Sequence, residues 1–203
     1  MHIITSITQQ QRRKTRYNIH TDNGFLISLS DESVVRHHLK VGGTISEELL
    51  AELREEDSLK YARELAFKYV AYAPRSEQQL LRHLSQKEID PACASEACRI
   101  MKEYGYINDE SFAKQYAESY LKKYSPYFVK QRLIAEGISA SIAEAAVADA
   151  DNSDQLKELF DKLYKKHEKE EPLKRKKKIC DALARRGFSW SEVAPLFRDN
   201  DDD

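Results

Sequence analysis

Glycine and proline are scarce in this chain, with 6 and 5 among 203 residues. A protein built mainly on tight turns between strands needs more of both, so an all-β architecture is excluded. Long apolar runs are also missing. The best stretch, AFKYVAYA, is broken by Lys68, and nothing reaches the roughly 18 apolar residues of a membrane span. The N-terminal MHIITSITQQQRRKTRY has no apolar centre of the signal-peptide kind, so a cytoplasmic location is expected. Cys93, Cys98 and Cys180 are odd in number, which fits a reducing compartment, and they are read as small core hydrophobes. Net charge is −1, so no global polycation announces nucleic-acid binding. Apolar residues at 41% exclude a disordered chain and leave a soluble, mainly helical protein.

Catalytic motifs are lacking as well. There is no Gly-rich phosphate loop and no GxSxG; Cys93 and Cys98 do not form CxxC, and no histidine lies at zinc spacing from them. His37 and His38 are adjacent and point apart, and His83 reads as a surface residue. Asp109-Glu110 is an acid pair, but both fall in the first turn of a helix, where acids favour the dipole. No catalytic, cofactor-binding or metal-binding residue is expected, and the chain reads as a binding protein.

What is present is a repeat. Leu84, Leu133 and Leu183 are separated by 49 and 50 residues. Each follows an aliphatic residue by four positions (Leu80, Val129, Ile179) and precedes an apolar one by five (Ile89, Ile138, Phe188). A period of this size marks a repeat architecture.

Ahead of the repeats, residues 1–45 read as a small antiparallel β unit. A first strand holds Ile3, Ile4 and Ile7. RYNIH and FLISL then flank the turn Thr21-Asp22-Asn23-Gly24, whose Asn-Gly pair tolerates positive φ. So small a sheet must lean on another element. A short helix is expected over Asp31–Leu39. A linking helix opened by Thr44 and Glu47 as a capping box runs to about Arg54.

Three repeats of three helices follow, and the linking helix groups with the first as 46–106. Its helices begin at Asp57, at the capping box Ser76/Gln79 and at Asp90-Pro91. Repeat two, 107–150, is opened by Asn108 or Asp109, Ser125-Pro126 and Ser141/Glu144; repeat three, 151–203, uses Pro172 and Ser189/Glu192. Gly137 and Gly187 suit left-handed C-caps, but the matching residue of repeat one is Glu88, so that helix is expected to lack the cap or to fray over Gln86–Glu88. The acidic end, Asp199–Asp203, is expected to fray. The fold class is mainly α: three tandem three-helix repeats in an elongated, curved array, with a small N-terminal antiparallel β unit.

Basic charge recurs on the second helix of each repeat. Arg75 and Arg82 serve repeat one. Lys122, Lys123, Lys130 and Arg132 surround the same helix in repeat two, with no acid between Leu121 and Ala135. Lys174–Lys178 opens it in repeat three, and Arg185-Arg186 closes it. These runs read either as a solvated face or as a binding surface; a positive run at a helix N-terminus opposes the dipole, which favours a partner supplying negative charge. A further cluster, Arg12-Arg13-Lys14-Arg16, lies at the hairpin. Most tyrosines read as core residues with a surface hydroxyl, whereas Tyr124 and Tyr127 sit amid lysines and are candidate stacking platforms.

The chain resembles the RecX family, regulators of the bacterial RecA recombinase. The resemblance is carried by APRSEQQLLRHL, YGYINDESFAKQYAESYLKK and the helix ends AEGI and RRGF. TDNGFLISL and HHLKVGGTISEELLAEL resemble the N-terminal extension of Gram-positive members. Ser125-Pro126 stands where the family usually has a glycine, and the lysine run of repeat three has no match. The resemblance implies a non-enzymatic protein that lies in the groove of the RecA filament on single-stranded DNA. It also implies suppression of ATP hydrolysis, strand exchange and filament growth, and thereby a place in DNA repair, homologous recombination and the SOS response. The contacts expected are Arg75, Arg82, Lys122, Lys123, Tyr124, Tyr127, Lys130, Arg132, Arg185 and Arg186, from a monomer. The rival readings are a direct binder of single- or double-stranded DNA and a helical scaffold for another protein.

Overall fold

The computed structural model describes residues 1–11 and 14–201, with side chains as far as Arg198. Arg12 and Arg13 of the hairpin cluster and the last two aspartates lie outside the described residues. The chain divides into two compact units, 1–73 with 80–104, and 74–79 with 105–203.

The N-terminal sheet has four strands, β1 (His2–Gln9), β2 (Arg16–Thr21), β3 (Gly24–Ser30) and β4 (Thr44–Ile45), in the order β3-β2-β1-β4. All neighbours are antiparallel. The hairpin forms where the sequence places it, but not with the expected turn. Thr21 pairs with Gly24, so the loop is Asp22-Asn23, and the positive φ falls on Gly24 alone, at 98°. Glycine absorbs the left-handed step at the strand start, and Asn23 keeps negative φ. The sheet's apolar face (Ile4, Ile19, Ile27, Leu29, Ile45) packs on Leu50 and Leu53 of the following long helix. This is the support that an isolated sheet of this size requires.

A short helix, α1 (Asp31–Arg36), is capped by Ser30. The linking helix and the first helix of repeat one are a single element, α2 (Glu47–Tyr72), 26 residues and about 39 Å long. Two expectations are corrected here. Thr44 belongs to β4, and Ser46 is the cap, accepting from the Leu49 amide. No break occurs at Asp57, because its carboxylate is taken by Arg16 at 2.7 Å and no glycine or proline interrupts Arg54–Leu59. One helix thus supports the sheet with its first half and buries Ala62, Ala66 and Val70 with its second.

Repeat one continues with α3 (Glu77–Gln86) and α4 (Pro91–Glu103), and α4 packs along α2. Ser76 and Gln79 form the expected reciprocal cap, at 3.1 and 3.2 Å, and Asp90 caps α4 through the Ala92 and Cys93 amides. Repeat two is α5 (Asp109–Tyr120), α6 (Pro126–Ala135) and α7 (Ala140–Ala145); repeat three is α8 (Ser153–Lys166), α9 (Pro172–Ala184) and α10 (Trp190–Asp201). Helix α7 is shorter than its sequence suggests and is capped by Ser139 rather than Ser141. Helix α10 continues through Asp201, so the acidic end is helical to that point instead of fraying at Asp199.

Repeat two has a core of Ala113, Ala117, Val129, Leu133, Ile138, Ala143 and Val147. Repeat three centres on Phe160, Ile179, Leu183, Phe188, Val193 and Phe197. The period-defining leucines Leu84, Leu133 and Leu183 are fully buried.

The joint between successive second helices is polar and close. The buried Ser76 hydroxyl donates to the Glu136 carbonyl at 2.8 Å. One repeat later, the buried Ser125 hydroxyl donates to the Gly187 carbonyl at 2.8 Å, and the Ser125 amide donates to the Arg186 carbonyl at 2.9 Å. A Cβ on Gly137 would lie 2.2 Å from Gln78 Cβ; one on Gly187 would lie 2.6 Å from Phe128 Cβ. Each glycine therefore answers two demands, positive φ and contact with the first turn of the preceding repeat's second helix.

Glu88 corrects the expectation of a missing cap. It takes the left-handed conformation, φ 58°, and Ile89 donates to Leu84 as Ile138 does to Leu133 and Phe188 to Leu183. Glutamate bears the conformational strain at this position. No repeat precedes the first one, so the second demand, for the absence of a Cβ, does not arise.

Candidate partner-binding site

The basic residues singled out by sequence fall into separate groups. Arg82 is exposed on α3, and Arg75 is half-buried just before that helix. Lys122 and Lys123 are exposed in the turn from α5 to α6 and have no ion pair among the described residues. Their two basic neighbours differ. Lys130 is half-buried and ion-paired with Glu144, and Arg132, although exposed, is near enough to the Tyr116 phenol to act on it electrostatically. Burial raises the Tyr116 phenol above its ordinary value, an effect that Arg132 opposes.

Aromatic rings run beside this turn. Tyr116 stacks on Tyr120 at 4.1 Å, and Tyr124 stacks on Phe128 at 4.6 Å. The i, i+4 spacing along α5 brings the rings of Tyr116 and Tyr120 together. The two candidate stacking residues therefore differ. One face of Tyr124 is covered by Phe128, and its carbonyl accepts from Asn152, whereas Tyr127 is 68% exposed. Tyr127 together with Lys122, Lys123 and Arg132 makes the accessible part of the repeat-two group.

Repeat three gathers its charge differently. Arg185 and Arg186 line a concave pocket of about 480 Å³ with Lys166, His167 and Lys178, and Asp181 is its one acid. Sequence reasoning missed Lys166 and His167. The readable signal was Lys165-Lys166-His167 at the end of α8, where cations favour the helix dipole. The lysine run is partly neutralised within the chain. Arg175 lies 4.3 Å over the Tyr164 ring, Lys176 lies over Trp190 and Phe197, and Lys178 binds Glu170 at 2.5 Å. Lys178 and then His167 hold the Glu170 carboxyl below its ordinary 4.5. Lys174 and Lys177 remain exposed.

Asp109, half of the acid pair, is structural: its carboxylate accepts from the Glu77 amide at 2.9 Å. Among the described residues, no cluster of His, Cys, Asp and Glu could hold a metal ion, and no helix is long and apolar enough to cross a membrane.

Tandem three-helix repeats with basic, partly aromatic outer surfaces define a helical-repeat protein. The family follows from four matches in chain order. Residues 2–46 match the regulatory protein RecX N-terminal domain. Residues 62–98, 108–147 and 149–194 match the first, second and third RecX three-helix domains. Regulatory protein RecX of Streptococcus pneumoniae serotype 19F is 31% identical over 96% of this chain and 77% of its own length. Its counterpart in Clostridium acetobutylicum is 26% identical over 97% and 95%. A crystal structure of a regulatory protein RecX superposes with a TM-score of 0.70 over 98% of this chain at 21% identity; RecX from Lactobacillus salivarius gives 0.63 over 73% at 22% identity. The chain belongs to the RecX family, and its role is that of a regulatory protein.

Proposed function

We propose that this chain modulates the RecA recombinase by lying in the groove of the RecA filament on single-stranded DNA. Occupying the groove suppresses ATP hydrolysis, strand exchange and filament growth. The observation that carries this reading is the unpaired basic turn of repeat two, Lys122 and Lys123 beside exposed Tyr127, on a chain of the RecX family. Such a surface serves contact with an acidic or phosphate-bearing partner. RecA ATPase on single-stranded DNA with added protein tests it, and no inhibition at several-fold excess would sink it.

Direct DNA contact is the second reading, supported by the basic pocket of Lys166, Lys178, Arg185 and Arg186. It requires DNA binding without RecA that weakens steeply with salt, through lost counterion release.

A further inference from the structure

Repeat two also carries a groove whose lining does not include its basic residues Lys122 and Lys123. Helices α5 and α7 and the turn after α7 enclose about 670 Å³. Ala117 forms the buried floor, while Leu121, Ile142, Ala145 and Ala146 form the walls. Its origin lies in the third helix. Helix α7 has 6 residues, where α4 has 13 and α10 has 12. Ala146 follows Ser139 by the same seven residues that separate Leu196 from Ser189, so an alanine stands where repeat three packs a leucine against its core. Repeat two thus leaves open the space that its sister fills with its own helix.

The rim is acidic. Glu110 and Glu118 on α5 and Asp149 after α7 are exposed, and none has an ion pair among the described residues; Lys114 is the one base on the rim. We propose that this groove receives a short amphipathic helix of a protein partner. That helix would present an aliphatic side chain to Ala117, Leu121 and Ile142, and lysine or arginine flanks to the three carboxylates. Burying the aliphatic group in a ready-made slot supplies attraction, and the rim selects basic over acidic helices. The inference rests on the reading that the chain acts by binding another protein.

The probe is a synthetic helical peptide of about 14 residues with a leucine–alanine face and lysine flanks. It is titrated into the full labelled chain and followed by amide NMR. Saturable shifts confined to Glu110–Leu121 and Ser141–Ala150 are expected. Combining Glu118→Lys with Asp149→Lys should weaken binding about tenfold or more. Ala145→Arg, at an exposed wall position, should abolish binding with helicity intact. The same peptide with glutamate flanks should not bind. Shifts elsewhere, equal affinity for the two peptides, or wild-type binding by Ala145→Arg each overturn the proposal. So does dimerisation of the chain alone that Ala145→Arg abolishes, since a second copy would then be the occupant. Failure to inhibit RecA sinks the function proposed above, whereas this groove stands or falls on the titration, so the two fail separately.

Discussion

Replacing Gly137 by alanine tests the joint between repeats one and two. Two penalties arise. The left-handed φ of 90° costs a residue with a Cβ about 1–2 kcal/mol. The new methyl would also sit 2.2 Å from Gln78 Cβ and 2.6 Å from its Cγ. Gln78 Cβ is fixed to its helix and cannot rotate away, so the helices must shift, at a further cost of about 1–3 kcal/mol by analogy with overpacked cores. The expected loss is therefore about 2–5 kcal/mol in all. Two controls separate the penalties. Gly105 has φ 74° with nothing within 4 Å of a Cβ, so Gly105→Ala should cost only the conformational part, about 1–2 kcal/mol. Glu88→Gly relieves the strain at φ 58° and gives back about 0.5–1 kcal/mol in chain entropy, leaving a change of about 0–1.5 kcal/mol towards greater stability. Urea unfolding followed by circular dichroism gives the three values, provided the slopes agree. A loss at Gly137→Ala no larger than at Gly105→Ala would refute the close-approach argument.

Other consequences can be measured in the same way. Ser125→Ala removes both the cap on the Phe128 amide and the bond to the Gly187 carbonyl from a buried site, and should cost about 1–3 kcal/mol in urea unfolding. Glu170 has a folded pKa below its ordinary 4.5, so its contribution to stability is present above that value and lost as pH falls through the lower folded value. Glu170→Gln should therefore flatten the fall in urea midpoint below about pH 4.5, and an unchanged acid limb would count against the Lys178–Glu170–His167 cluster. On the proposed function, Lys122→Glu with Lys123→Glu should weaken inhibition of RecA ATPase about tenfold at unchanged helicity. This pair is a cleaner test than one that includes Lys130, which already holds Glu144. Burial pushes up the thiols of both Cys180 and Cys93, so access decides between them, and half-buried Cys180 should react with a thiol reagent in the folded protein before buried Cys93.

The sequence by itself determined the features that rest on local chemistry or on a period. A buried leucine every 49 or 50 residues set the three repeats. The caps at Ser76, Asp90, Asn108, Ser125 and Ser189 were legible because capping needs only a short side chain and nearby amides. Of the candidate site, the exposed Lys122, Lys123 and Tyr127 could be read from an acid-free stretch. Whether a charge is already engaged could not, because Glu144, the partner of Lys130, lies on another helix. Lys166 and His167 reach the same pocket as Arg185 and Arg186 only through the packing of α8 on α9. Tertiary structure also decided Asp57, which has the form of a helix start but spends its carboxylate on Arg16 of the sheet. Glu88 shows the same division. Its backbone strain is local, and by sequence it reads as a helix end without a cap. What makes glycine necessary at Gly137 and Gly187 is a neighbouring repeat within van der Waals reach, and Glu88 has none before it.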